Sequence, residues 1–183
     1  TGIEENILVI GDSSGESTLL RNMIHRISEG IPPSDVKLLV IDYRRQLLGE
    51  CPATHLAGYA STKQDVQEFI SQLVPLLESR MPAGVDDPQT LRDRSWWKGP
   101  DIFLVVDDYD LVATSSGNPL QGLLELLPYG RDIGLHMVVA RRCTGFSRTS
   151  FEPIMARLRE LHPTIFLMSG TAEEGLSLIH ISE

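Results

Sequence analysis

Two kinds of apolar pattern alternate along the chain. The runs "NILVI" (6–10), "VKLLVID" (36–42), "IFLVVDD" (102–108) and "LHMVVA" (135–140) are short, nearly continuous and rich in Val, Ile and Leu. A run that is apolar at successive positions suits a strand covered on both faces. "TIFLM" (164–168) is a fifth candidate. Between these runs, apolar residues recur at helical spacing. Leu19, Leu20, Met23, Ile24 and Ile27 form one such set, and Val66, Phe69, Ile70, Leu73, Leu76 and Leu77 form another, in which Pro75 predicts a kink. Asn118-Pro119 reads as the N-cap and first turn of a helix carrying Leu120, Leu123, Leu124 and Leu127. Ser150 reads as the cap of a helix carrying Phe151, Ile154, Met155, Leu158 and Leu161. Segments 31–35, 43–62, 82–100 and 141–149 read as loops. Strand–helix alternation at this spacing predicts an α/β fold with a central, mainly parallel β-sheet flanked by helices.

Length and composition fit one globular domain: 183 residues, 42% of them hydrophobic. No apolar run approaches the ~20 residues that span a bilayer, and no basic-then-apolar leader opens the chain. The first residue is Thr1, and strand-like sequence begins at once, so a piece of a longer protein is expected. Cys51 and Cys143 fit no metal-ligand spacing and read as free thiols of a reducing compartment. The net charge of −9 argues against a broad electrostatic grip on nucleic acid, which needs clustered cations. Arg44-Arg45 and Arg141-Arg142 are small basic pairs that read as solvated edges or interface.

Candidate chemistry lies at the carboxyl ends of the strands, where open parallel sheets hold their ligands. "GDSSGEST" (Gly11–Thr18) joins the first strand to the first helix. Glycines in such a loop let successive backbone N–H groups turn toward phosphate oxygens, at a helix N-terminus that favours an anion. The full pattern is G-x-x-x-x-G-K-[ST]. Here Gly11 and Gly15 are separated by three residues, Glu16 stands where the lysine belongs, and Ser17 remains as a hydroxyl able to ligate magnesium. The plain alternative is a strand-to-helix turn with a Ser/Thr cap. "IFLVVDDYD" ends a buried strand in carboxylates. Asp107 would hold magnesium and Asp108 would orient or deprotonate an attacking water; the alternative is a solvated strand end. "RDIGLHMVVARR" places Arg131 before a strand and Arg141-Arg142 after it, as a phosphate sensor, a residue reaching a neighbour's site, or salt-bridge partners. His136 reads as a core or edge histidine, Asp42 as the cap of a turn, and Trp96-Trp97 as a partner anchor or the cover of a loop.

"KLLVIDYRRQLLG", "LRDRSWWKGPDIFLVVDDYDLVATSSGNPL" and "LLPYGRDIGLHMVVARR" resemble the EccC family, the FtsK/SpoIIIE-type ATPases of type VII secretion, and in particular its C-terminal ATPase module. The likeness runs from about Ile7 to Gly170. It implies a RecA-like P-loop nucleotide-binding fold over residues 1–175, with ATP and Mg2+ as ligands. On the family's pattern, the Walker A loop falls on Gly11, Asp12, Ser13, Ser14, Gly15, Glu16, Ser17 and Thr18. The metal ligands are then Ser17 and Asp107, and Asp108 is the catalytic carboxylate. The resemblance also implies partners: further ATPase modules of the same chain, small helical WXG-type secreted proteins, and a membrane secretion complex reached through upstream segments. It further implies action at the cytoplasmic face of the membrane. The shortened loop and Glu16 depart from the family and predict weak ATP binding and weak or absent hydrolysis. A substrate-docking module without nucleotide turnover is the alternative. A DNA translocase of the FtsK branch is disfavoured by charge and by "VVARR". The ending "LSLIHISE" differs from the family's proline-rich close, and residues 176–183 are expected to be a non-native tail resembling adapter read-through.

Overall fold

A computed structural model describes residues 6–11, 15–142, 152–169 and 177–181. In chain order these form β1 (Ile7–Gly11), α1 (Gly15–Gly30), β2 (Val36–Ile41), β3 (Leu56–Ala60), α2 (Lys63–Ser79), α3 (Pro88–Asp93), β4 (Asp101–Val106) and α4 (Tyr109–Val112). Two 3-10 turns follow at Gln121–Leu123 and Leu127–Tyr129, and then α5 (Gly130–Ile133), β5 (Leu135–Arg142), α6 (Pro153–Glu160), β6 (Thr164–Ser169) and β7 (Ser177–Ile181).

The strands make one seven-stranded sheet in the order β3-β2-β4-β5-β1-β6-β7. The pairings from β3 through β6 are parallel, and β7 joins β6 antiparallel. The predicted sheet is therefore present, with β1 at an inner position between β5 and β6. The central strands alternate their apolar side chains between two cores, as the pleat requires. On one face Leu39, Ile41, Leu104, Val106, Met137 and Val139 pack with Val66, Ile70, Leu73 and Leu77 of α2 and with α6. On the other, Val36, Leu38, Val40, Phe103, Val105 and Val138 pack with Leu20, Ile24 and Ile27 of α1. Two covered faces explain why these strands read as continuous apolar runs.

Several expectations are corrected. Segment 43–62 is not all loop, because Leu56–Ala60 forms β3. This edge strand is mostly half-buried and carries Gly58, where a Cβ would lie 2.6 Å from the Phe69 ring. Side-chain bulk is absent there so that α2 can close on the strand, and the apolar signal drops. Segment 82–100 contains α3, capped by Asp87, whose carboxylate accepts the Thr90 N–H at 2.8 Å. The leucines at 120–127 do not form one helix. Asn118 caps Leu120 N–H at 2.9 Å, but only two 3-10 turns follow. Pro128 supplies no N–H to an α-helical ladder, and Leu120, Leu123, Leu126 and Leu127 are buried together in the core. Helix α2 runs from Lys63 to Ser79 with Pro75 inside it. The cap of α6 is Glu152, which accepts the N–H groups of Ile154 and Met155 at 3.2 and 3.0 Å. Ser150, Phe151, Cys143 and segment 143–149 lie outside the described residues. Arg141 and Arg142 end β5 rather than follow it.

Candidate functional site

Strand β1 ends at Gly11 and α1 begins at Gly15, so "GDSSGEST" is a strand-to-helix loop at the carboxyl edge. Asp12, Ser13 and Ser14 lie outside the described residues. Gly15, Glu16 and Ser17 are buried and Thr18 is exposed, all within the first turn of α1. Strand β4 delivers Asp107 to the same edge, where its N–H donates to the Ile41 carbonyl at 2.9 Å. Ser17 Oγ donates to Asp107 Oδ2 at 2.6 Å, joining positions 90 residues apart. This contact brings together the two residues that the sequence marked as metal ligands. A hydroxyl and a carboxylate are the hard oxygen donors that Mg2+ takes from a protein while keeping waters and phosphate oxygens for its other positions. Among the described residues no group of three or more His, Cys, Asp or Glu converges to hold a metal without such help.

The phosphate side of the loop is different. Glu16 is 7% exposed, unusual for a glutamate. Its carboxylate lies against Gly11, where an added Cβ would meet Glu16 Oε1 at 2.5 Å and Met168 Cβ at 3.1 Å. A side chain at position 11 would displace the Glu16 carboxylate from this place. The position expected to carry a cation thus carries a carboxylate folded back on the loop.

Asp107 is 1% exposed. Burial pushes its carboxyl up to about 6; the Ser17 hydrogen bond opposes this and the nearby Asp108 charge adds to it. A folded value above the unfolded one means that Asp107 favours the fold below about pH 4. That contribution is lost as pH rises through about 6. In chelator at pH 7.5, Asp107→Asn is expected to be more stable than the unmodified protein by about 1–2 kcal/mol, a difference that disappears near pH 4. Urea melts across this range provide the check.

Asp108 sits at φ 48, ψ 55 as the N-cap residue of α4. Its N–H donates to Asp107 Oδ1 at 2.9 Å, and its Oδ1 lies 3.8 Å from Arg44 Nη1. Burial raises its carboxyl above the ordinary range, while the Arg44 and Arg142 charges pull it down. Arg141, whose side chain is fully buried, pairs with Asp110 at 3.1 Å; Asp110 also accepts the Arg142 N–H at 2.9 Å. The register sets Ile10 beside Arg141 and Gly11 beside Arg142, so both arginines flank the loop. Arg44, read from sequence as part of a solvated edge or interface, is the residue whose pairing local reasoning missed. Its pairing depends on β2 lying beside β4, which no local pattern shows.

Other sequence candidates fall elsewhere. Asp42 is fully buried and caps the turn after β2, as expected. His136 is a core histidine, stacked on Phe103 with centroids 4.6 Å apart and bonded to Asp101 at 2.8 Å. Trp96 and Trp97 donate their indole N–H groups to the carbonyls of Arg80 and Asp132, each at 2.8 Å. The Arg80 guanidinium covers the Trp97 ring at 4.0 Å. Trp97 also lines a cavity of about 970 Å³ with Ile31, Leu91, Arg94, Phe103 and His136. This cavity opens at the amino-terminal edge of the sheet, opposite Asp107.

A mainly parallel sheet with a glycine-bearing loop after β1, and a serine bonded to the carboxylate that follows β4, fits the P-loop ATPase fold of the FtsK/SpoIIIE type, to which the similar proteins also point. No family model matches the chain. It is 47% identical over 175 residues to the ESX-4 secretion system protein EccC4 of Mycobacterium tuberculosis, covering 95% of this chain and 14% of that protein. It is 42% identical over 176 residues to the ESX secretion system protein EccC of Thermomonospora curvata, covering 96% and 13%. The solved cytoplasmic domain of that T. curvata ATPase superposes with a TM-score of 0.87 at 41% identity, over 97% of this chain and 21% of that one. A second T. curvata structure, of ATPases 2 and 3 in complex with a signal sequence peptide, matches equally and is covered to 32%. The chain belongs to the EccC family of type VII secretion, as a segment corresponding to its C-terminal ATPase module. It spans about one seventh of the curated relatives' length. Among the described residues no helix is long and apolar enough to cross a membrane.

Proposed function

We propose that the chain is a nucleotide-binding module of a type VII secretion motor ATPase, with a weakened phosphate loop and little or no hydrolysis of its own. The module comprises residues 1–175 and works at the cytoplasmic face of the membrane beside other ATPase modules of the same protein, in the export of small helical WXG-type proteins. The observation that carries this reading is the 2.6 Å hydrogen bond from Ser17 to Asp107. Gly11, Asp12, Ser13, Ser14, Gly15, Glu16, Ser17 and Thr18 would line the phosphates. Mg2+ held at Ser17 and Asp107 would neutralise phosphate charge, and Asp108 would orient the attacking water. Equilibrium titration with fluorescent ATP and Mg2+ tests it. Binding in the high-micromolar range or weaker, abolished in Asp107→Ala, is the expected result. Submicromolar affinity, or steady turnover that Asp108→Asn removes, would contradict the weakened-site reading.

The second reading is a docking module for secreted proteins that needs no turnover. Two observations favour it: a closely similar solved neighbour is a complex with a signal sequence peptide, and a cavity beside Trp97 lies at the edge away from Asp107. The turns at 120–129 are a poorer candidate because their leucines are core. Calorimetry with a cognate signal peptide, without ATP, separates the readings. Binding that survives Asp107→Ala supports docking, and loss of binding in that variant ties recognition to the nucleotide site.

A further inference from the structure

Among the charged contacts that the nucleotide reading leaves unused at the carboxyl edge, one reaches Asp108 itself. Arg44 follows β2, Asp108 follows the neighbouring β4, and Arg44 Nη1 lies 3.8 Å from Asp108 Oδ1. The two are unequally covered, with the arginine side chain 50% exposed and the aspartate 15%. The turn bearing Arg44 is built rather than loose. Buried Asp42 accepts the N–H groups of Gln46 at 3.0 Å and Leu47 at 2.7 Å, and the Tyr59 hydroxyl at 2.8 Å. Leu47 enters the core, and Arg45 takes a left-handed φ of 58. Asp108 is fixed as well, through its N–H bond to Asp107. Arg44 therefore stands one contact away from the Ser17–Asp107 pair.

At 3.8 Å the pair lies beyond hydrogen-bond distance and is half open to water, so it is weak and exchangeable. A terminal phosphate offers a guanidinium more charge and paired oxygens. Building on the nucleotide reading above, we propose that Arg44 is a positioning and specificity residue. It holds Asp108 when no nucleotide is bound and moves to the terminal phosphate of a bound nucleoside triphosphate. It thereby supplies part of the charge that Glu16 fails to supply and distinguishes triphosphate from diphosphate.

The test is calorimetric titration of the unmodified chain, Arg44→Gln, Arg44→Lys and Asp108→Asn with a non-hydrolysable ATP analogue and with ADP, both with Mg2+. Arg44→Gln is expected to weaken the triphosphate about tenfold and leave ADP unchanged. Arg44→Lys should retain part of the difference. Asp108→Asn should tighten the triphosphate by releasing the arginine. A merely structural role would move both nucleotides together. Equal changes for both, or an unaltered triphosphate-to-diphosphate ratio in Arg44→Gln, overturns the assignment while leaving the nucleotide reading standing. Absence of binding by the unmodified chain to either nucleotide overturns both.

Discussion

Inserting one residue between Gly11 and Gly15 and replacing Glu16 with lysine is expected to tighten Mg2+-ATP binding by about ten- to hundredfold. Two changes act in the same direction. The substitution removes a carboxylate that is 7% exposed and packed against Gly11, so that it no longer opposes an incoming phosphate. It also installs an ammonium at the phosphate loop, where one charge-assisted contact contributes about 1.5–3 kcal/mol. The inserted residue restores the spacing that lets backbone N–H groups surround a phosphate. The steps separate by experiment. Glu16→Ala alone should give only the smaller gain from lost repulsion, and insertion alone should give little while the carboxylate stays. If the combined variant binds no tighter than the unmodified chain, the loop does not face the phosphates and Ser17–Asp107 is a structural bond.

The parts of the fold legible in the sequence are those with a local cause. β1, β2, β4, β5 and β6 lie between two helical layers or close to them, so their residues are apolar on both sides and announce themselves as runs. β3 sits at the sheet edge and gives up a side chain at Gly58 to admit Phe69, which removes the run. The leucines from 120 to 127 show the opposite failure. They are buried, as their spacing suggests, but short turns suffice to bury them because α2 and α6 already form the wall they face. Burial and helix are different demands that one periodicity cannot separate. For the site, Ser17 and Asp107 were legible because each follows a strand in a recognisable motif, and the sheet order then brings them together. Arg44 was not, because a solvated arginine and a paired one look the same until the neighbouring strand is known. Trp96-Trp97 left two readings open for a related reason: the indole partners, Arg80 and Asp132, come from separate segments.

Asp42→Ala is expected to destabilise the domain by about 3–5 kcal/mol. Asp42 follows β2, is fully buried, and continues the strand ladder through its N–H to the Ala60 carbonyl at 2.8 Å. Its carboxylate collects the Gln46 and Leu47 N–H groups and the Tyr59 hydroxyl. Burial and the bond to Asp42 raise the Tyr59 phenol well above its ordinary value, so the hydroxyl remains a donor at any working pH. Truncation removes the side-chain acceptor of three donors, of which the Leu47 N–H is buried and the Gln46 N–H and Tyr59 hydroxyl are part-buried, and an orphaned buried donor costs about 1–3 kcal/mol. Asp42→Asn should cost less, because one amide oxygen still accepts, although it cannot serve both backbone N–H groups and the phenol. Thermal or urea melts rank the two variants. The same substitutions carry a second readout. Because the turn also presents Arg44, Asp42→Asn at temperatures where it remains folded should lower the triphosphate-to-diphosphate preference in the direction of Arg44→Gln. If Asp42→Ala melts with the unmodified protein, the buried carboxylate does not organise the turn. Arg44 would then reach Asp108 through a flexible loop rather than a built one.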